Sequence, residues 1–282
     1  MMFDLPGDDT LYAALMARDA AYDGRAFVAV RATGVFCRLT CPRPKPAQAG
    51  CAFHDSFLSC LEAGLRPCEH CHPLGDDPLV TGLIAARQAD PARRWREGGL
   101  TAGDPDPSAV LWADWIATPL GPMVAVADTH ALHLLEFPER KALPRELDRL
   151  RNMCGGPIGF GRPAPIGQAA RDLARYFDGT SPGFETRLAP RGTVFQQAVW
   201  AELRRIPAGQ TRSYSELARA LGRPSATRAV AAANGANPIA ILIPCHRVLG
   251  ADGALTGYGG GLWRKQRLIE IEQRHFSEGE TP

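Results

Sequence analysis

What the chain lacks narrows it first. It has no uninterrupted run of about 18 apolar residues, the length a membrane-spanning helix needs, so a membrane protein built on such helices is excluded. The stretch Met1 to Asp9 carries acids where a secretory signal requires bases and an apolar core, so the expected compartment is the cytoplasm. Net charge is almost absent: 32 basic against 30 acidic side chains leave +2. That balance removes any global electrostatic argument for nucleic acid and leaves the role to a local basic face. With 45% hydrophobic and 22% charged residues there is no compositional bias either, which excludes wholesale disorder. A chain of 282 residues can bury about two cores.

What is present in unusual form is cysteine. Eight thiols in a reducing compartment argue for metal binding and catalysis ahead of disulfides. Four of them form two chelating pairs, Cys37-x3-Cys41 and Cys68-x2-Cys71, separated by 26 residues. Four thiolates suit one tetrahedral Zn2+, and a closed four-ligand site is ordinarily structural. A redox Cys-x2-Cys or chance spacing competes with this reading, but a redox motif has no use for the second pair. Cys51 and Cys60 break the pairing and read as core thiols; Cys154 reads as incidental. His54, His70 and His72 lie near enough in sequence to compete as ligands and read as solvated or packing residues. No organic cofactor is expected. Arg38, Arg43, Lys45 and Arg66 interleave cations with the ligands, which suits either phosphate tracking or an ordinary solvated loop.

Hydrophobic spacing supplies the frame. It predicts a helix over 10–23 stopped by Gly24, with Leu11, Leu15 and Met16 on its packed side. A hairpin of 27–30 and 35–36 around Thr33-Gly34 then delivers Cys37. Asp76-Asp77-Pro78 opens a short helix, and the breaker cluster over 98–107 reads as a linker. Three strands over 111–118, 123–127 and 131–137 make a meander, followed by helices over 143–153, 166–177 and 193–206. The last should bury Val194, Phe195, Ala198, Val199, Leu203 and Ile206. A capping box at Ser213 and Glu216, a turn at Gly222 and a second helix to Asn234 read as a helix-turn-helix or as a plain helical hairpin. Arg228 on an alanine-rich solvent side favours DNA.

A second chemical centre ends an apolar run. Ala240 to Ile243 should form a buried extended segment, and Pro244 should present Cys245 on stiff, non-helical backbone. His246 and Arg247 beside it favour the thiolate if they lie close in space. A buried structural cysteine is the plain alternative.

Two stretches resemble known families. Residues 31–38 (RATGVFCR) and 64–71 (GLRPCEHC) resemble the N-terminal module of Ada-type DNA repair regulators, over residues 8–74. The resemblance implies zinc on Cys37, Cys41, Cys68 and Cys71, DNA at Arg66, and Cys37 as acceptor of methyl groups from methylated backbone phosphates. A zinc tetrathiolate keeps its sulfurs deprotonated, and methylation would lower its charge, which makes a switch. Those regulators continue with a two-repeat AraC-type domain; residues 76–108 hold only a truncated remnant around Trp95, Leu100 and Asp106-Pro107-Ser108. This departure weakens the expectation of transcriptional activation.

Pro244 to Val248, with Asn237-Pro238 before and 257–262 (GYGGGL) after, resembles the O6-alkylguanine-DNA alkyltransferase family over 109–275. It implies Cys245 as methyl acceptor, His246 as its base through a water, Glu272 as the orienting carboxylate and Asn237 as hydrogen-bonding support. Arg228 would fill the place of the flipped nucleotide, Tyr214 would bear on the rotating phosphate, Tyr258 would line the guanine pocket, and Arg247 would join the DNA-facing set. The fold implied is α+β and multidomain. A small zinc-binding α/β module (1–75) and a linker (76–108) precede a ribonuclease-H-like sheet-and-helix subdomain (109–190) and a winged helix-turn-helix catalytic subdomain (191–282). The function implied is DNA repair by one irreversible transfer from O6-methylguanine, with O4-methylthymine a further candidate, to Cys245. A second transfer, from methylphosphotriesters to Cys37, accompanies it. The implied partner is double-stranded alkylated DNA, bound by a monomer away from membranes. The rivals are a methylation-responsive zinc regulator and a Cys-His hydrolase in which Cys245 attacks a carbonyl.

Overall fold

A computed structural model describes residues 5–75, 77–89 and 109–277. They fall into two compact units, one made of 5–75, 77–89 and 138–144, the other of 109–137 and 145–277. Among the described residues no helix is long and apolar enough to cross a membrane.

The first unit opens with α1 (Asp8–Ala17), whose two leading aspartates suit the positive end of the helix and whose Leu11, Ala14 and Leu15 are buried. The expected helix to residue 23 is too long. Arg18 turns into the left-handed region (φ 53°) and caps α1, and Ala20–Tyr22 forms a separate 3-10 turn held by the Asp19 side chain. Met16, expected on the packed side, is 56% exposed. The hairpin is as expected: β1 (Phe27–Val30) pairs antiparallel with β2 (Val35–Arg38), and Gly34 takes the positive φ of 64° that its turn requires. β3 (Cys51–His54) pairs with the other side of β1, α2 (Phe57–Glu62) starts from a Ser56 cap, and β4 (Arg66–Pro67) runs parallel to β2. The sheet order is β3-β1-β2-β4. α3 (Pro78–Ala89) begins where Asp77 Oδ1 accepts the Leu79 amide, as the sequence suggests, and extends further than the short helix expected. The truncated remnant around Trp95, Leu100 and 106–108 lies outside the described residues.

The second unit holds the meander β5 (Leu111–Ile116), β6 (Met123–Ala127) and β7 (Leu132–Glu136). After α4 (Leu143–Cys154), β8 (Ile158–Phe160) joins parallel to β5, giving the order β7-β6-β5-β8. β8 was not expected, because glycines and a proline surround its three residues. α5 (Ala164–Phe177) packs Ile166, Ala169, Leu173 and Tyr176 against this sheet. The free edge of β7 is covered twice: Leu132 bonds with Arg187 and Ala189, and Leu135 with Pro238 and Ala240. The second pairing ties the approach to Cys245 onto the sheet.

α6 (Val194–Leu203) starts at a Thr193–Gln196 capping box. Its buried face runs through Val199, Trp200 and Leu203; Val194, expected inside, is 88% exposed. Trp200 Nε1 donates to Ala233 O and so fastens α6 to α8. Next come β9 (Arg212–Ser213), α7 (Tyr214–Ala220) with its expected capping box, a 3-10 turn at Pro224–Ala226, and α8 (Thr227–Gly235). β10 (Val248–Leu249) pairs parallel with β9, and α9 (Leu262–Phe276) closes the unit.

Candidate active sites: two cysteine centres

The parallel pairing of β2 with β4 brings the two chelating pairs together. Cys37 stands on β2 opposite Val28, and the Cys68 amide donates to Phe36 O one residue beyond β4. The sulfurs of Cys37, Cys41, Cys68 and Cys71 all lie within 4.8 Å of one another. A tetrahedron with Zn–S bonds near 2.3 Å has edges of about 3.8 Å, so this donor set fits Zn2+ with a slight contraction. Among the described residues it is the only cluster of this kind, and His70 and His72 are exposed outside it while His54 sits on β3. Lys45 Nζ donates to Leu39 O and Cys41 O, closing the turn that carries Cys41. The amide of His70 donates to Cys68 Sγ at 3.4 Å. Bonding with Cys71, burial and neighbouring sulfur charge push Cys37 up, while the Cys71 sulfur, bonded foremost to Cys37, is lowered to about 5. Arg66 is exposed at the start of β4, free to meet an anion.

The second centre is built around one carboxylate. Glu272 on α9 is 1% exposed and its Oε1 accepts from Tyr176 Oη, His246 Nε2 and Arg247 Nη2, each at 2.8 Å. Its Oε2 accepts from Arg247 Nε at 2.9 Å and the Gly209 amide at 3.2 Å. Burial alone would raise this carboxyl; the charges and hydrogen bonds of His246 and Arg247 overcome it and hold the group well below the usual carboxylate range. An ionised carboxylate only accepts, so His246 Nε2 carries the proton and Nδ1 keeps a lone pair. Nδ1 is buried with no protein hydrogen-bond partner. Burial lowers His246, against the pull of Glu272, so the ring is neutral and basic at its open nitrogen.

The backbone around Cys245 differs from the extended segment expected. Ile239 to Ile243 folds into a tight turn, with Leu242 N on Ala240 O and Ile243 N on Ile239 O. Ile241 sits at φ 70°, a strained position for a β-branched side chain, held because the residue is fully buried. Cys245–Arg247 is itself one 3-10 turn, so the thiol is not on non-helical backbone. Asn237 fills the turn. Its Oδ1 accepts from Ile239 N, and its two Nδ2 hydrogens serve Ile243 O (2.8 Å), Cys245 Sγ (3.2 Å) and Ile239 O (3.3 Å). The same side chain that shapes the loop therefore donates to the sulfur.

Asn237 with Cys245 and His246 with Glu272 thus form two hydrogen-bonded pairs that the Cys245-His246 peptide bond places next to each other. Arg247 joins the second pair, in place of the DNA-facing role expected: 5% exposed, it spends its guanidinium on Glu272 and Ile206 O. Tyr214 is half-buried, its hydroxyl beside Gly257 and its side chain in contact with Thr256 and Asn234; burial raises its phenol. Tyr258 is half-buried on the segment before α9. Arg228 is exposed with Ala229 and Ala232 on the outer side of α8, apart from these pairs. The sequence reading missed Tyr176 and the Gly209 amide. Tyr176 lies 96 residues from Glu272, and no local pattern announces that pairing.

Residues 194–274 match the family model described as 6-O-methylguanine DNA methyltransferase, DNA binding domain, and residues 10–74 match the metal binding domain of Ada. A methylated-DNA–protein-cysteine methyltransferase of Methanosarcina barkeri is 42% identical over 167 residues, spanning 59% of this chain and 99% of that protein. The crystal structure of a Mycobacterium tuberculosis O6-methylguanine methyltransferase superposes with a TM-score of 0.52 at 41% identity, covering 60% of this chain and 96% of that one. Mycobacterium tuberculosis OGT in complex with DNA gives 0.50 at 42% identity, covering 57% and 92%.

Proposed function

The chain belongs to the methylated-DNA–protein-cysteine methyltransferases, joined here to an Ada-type metal-binding domain, and from that premise we propose how its two cysteine centres divide the work. The protein repairs alkylated DNA by transferring a methyl group to one of its own cysteines. Cys245 is the acceptor for O6-methylguanine, and for O4-methylthymine where that base reaches the pocket. One observation carries the assignment: the sulfur that accepts from Asn237 adjoins a neutral histidine whose far nitrogen is locked onto a buried carboxylate.

The reaction is an in-line displacement at the methyl carbon. The proton of Cys245 passes through a water to His246 Nδ1, and Glu272 stabilises the imidazolium that forms. The sulfur lone pair makes the S–C bond while the C–O pair returns to guanine, which takes up a proton. Asn237 orients the sulfur, and Arg247 keeps Glu272 ionised. The product is a thioether, a poor leaving group, so the acceptor is consumed in a single turnover. Tyr258 lines the base pocket and Tyr214 bears on the rotating phosphate. Arg228, a lone cation on a slim helix, enters the stack in place of the flipped nucleotide.

The first centre holds one Zn2+ on Cys37, Cys41, Cys68 and Cys71. When bound, the ion keeps its four sulfurs deprotonated in a site of net negative charge. Cys37 is the second acceptor, taking a methyl group from phosphotriesters on a backbone that Arg66 helps to hold. The boundaries follow 1–75, 76–108, 109–190 and 191–282; the four-stranded sheet with α5 is ribonuclease-H-like, and α6 to α9 with the β9–β10 pair form a winged helix-turn-helix. The protein acts as a monomer on double-stranded alkylated DNA, in the cytoplasm, where its thiols stay reduced.

Incubation of labelled DNA with wild type, Cys245→Ser and Cys37→Ser separates the two transfers. Cys245→Ser should lose all label from O6-methylguanine and keep that from methylphosphotriesters; Cys37→Ser should do the reverse. Full retention of base-derived label by Cys245→Ser would overturn the first assignment, and no phosphotriester label in wild type would overturn the second.

A further inference from the structure

Two cations lie buried side by side in the first turn of α9: Arg264 is 2% exposed and Lys265 not at all. Lys265 Nζ donates to Val248 O and to Thr256 O. Among the described residues no carboxylate pairs with it, and its burial lowers it to about 8 against the opposing pull of the Cys245 sulfur. Arg264 donates through Nε to Leu120 O (2.9 Å) and through Nη1 to Gly260 O (2.8 Å), with its guanidinium 3.9 Å above the centre of the Phe137 ring. The carbonyls they hold are informative. Thr256 and Gly260 bound the segment that carries Tyr258, while Val248 stands three residues after Cys245 and Leu120 lies in the turn before β6.

That segment has little stiffness of its own, since four of the five residues 257–261 are glycine. Packing presses it from one side. A side chain at Gly260 would sit 2.7 Å from Phe137 and 3.0 Å from the Tyr258 ring, so the tyrosine lies directly against the glycine backbone and Phe137 against Arg264.

We propose that Arg264 and Lys265 are positioning residues for Tyr258. Lys265 ties the near end of the segment to the strand leaving Cys245, and Arg264 ties the far end to the β5–β6 turn. Together they set the distance between the pocket wall and the sulfur. Neither touches the substrate; both act through the phenol ring, and the inference rests on the pocket role assigned to Tyr258 above.

The test is single-turnover kinetics on duplex O6-methylguanine DNA with Lys265→Met, Arg264→Met, Tyr258→Ala and the two double variants with Tyr258→Ala. Each single cation variant should slow transfer at saturating DNA by about tenfold or more, the scale of a misplaced reacting partner. Alkylation of Cys245 by iodoacetamide, which needs no pocket wall, should stay within about twofold in Arg264→Met and in Lys265→Arg, which keeps the positive charge near the sulfur. Adding either cation change to Tyr258→Ala should cause no further loss, as coupling through one residue requires. Lys265→Arg should restore part of the rate, and it and Arg264→Lys replace the neutral variants if those fold poorly. Additive losses in the double variants, equal losses toward iodoacetamide in Arg264→Met or Lys265→Arg, or unchanged transfer would each overturn the proposal. Failure of the wild type to transfer from O6-methylguanine at all would instead overturn the underlying function, a different result in a different protein.

Discussion

The chain builds its two cysteine centres by opposite means. Cys37 sits in a cage of like groups, four sulfurs within 4.8 Å whose mutual repulsion only a cation can relieve. Around Cys245 stand an amide N–H that donates to its sulfur, a neutral imidazole next along the chain and a buried ion pair behind it. In the first centre charge is supplied from outside the chain and the fold merely gathers ligands. In the second the charge machinery is covalent sequence, spread from Tyr176 to Glu272, and folding itself must assemble it. The difference predicts that the centres fail independently, one with its metal and the other with its hydrogen bonds.

Zinc removal should produce the largest split. A strong chelator is expected to abolish phosphotriester transfer and melt the 5–75 region, because metal affinity in such modules is folding free energy. Transfer to Cys245 should remain within about twofold. Parallel loss of both activities would show that the centres are not separate. Next in size, Glu272→Gln should slow transfer to Cys245 by about a hundredfold, because the His246 base loses the carboxylate that orients it and stabilises its imidazolium. It should also lower the melting temperature of the second unit, since leaving Arg247 buried without its partner costs about 3–5 kcal/mol. Zinc content should not move; if it did, the comparison would be wrong. The smallest effect belongs to Arg228→Ala. Transfer from duplex DNA should slow about tenfold, whereas transfer from a free O6-methylguanine base should not, because only the duplex requires flipping. Equal slowing on both substrates would remove the wedge role.

The two centres also differ in how far they could be read in advance. The cage was legible because its ligands are few, local and of one type: the pairs 37/41 and 68/71 need only a hairpin and one parallel strand to meet. The Cys245 centre was legible in its members through family likeness, and less so in its geometry. Hydrophobic spacing reads Ala240 to Ile243 as extended, because an apolar run carries no sign of the tight turn that Asn237 fills or of the φ of 70° at buried Ile241. Arg247 looked like a DNA contact for want of any sequence sign that Glu272 would take its charge inside. Tyr176, Arg264 and Lys265 act over separations of 96, 144 and 17 residues, where period and propensity are silent. Helix ends erred for a related reason: Arg18 and Val194 are set by caps and tertiary exposure, which apolar periodicity does not encode.

Wild-type protein should be mixed with excess duplex carrying O6-methylguanine alone, digested, and its cysteine peptides weighed. One methyl group is expected on the peptide containing Cys245, none on that containing Cys37, and a yield that stops at one transfer per protein molecule. Methyl on another cysteine, or continued loss of O6-methylguanine after every Cys245 is modified, would contradict the assignment of Cys245 as a single-turnover acceptor.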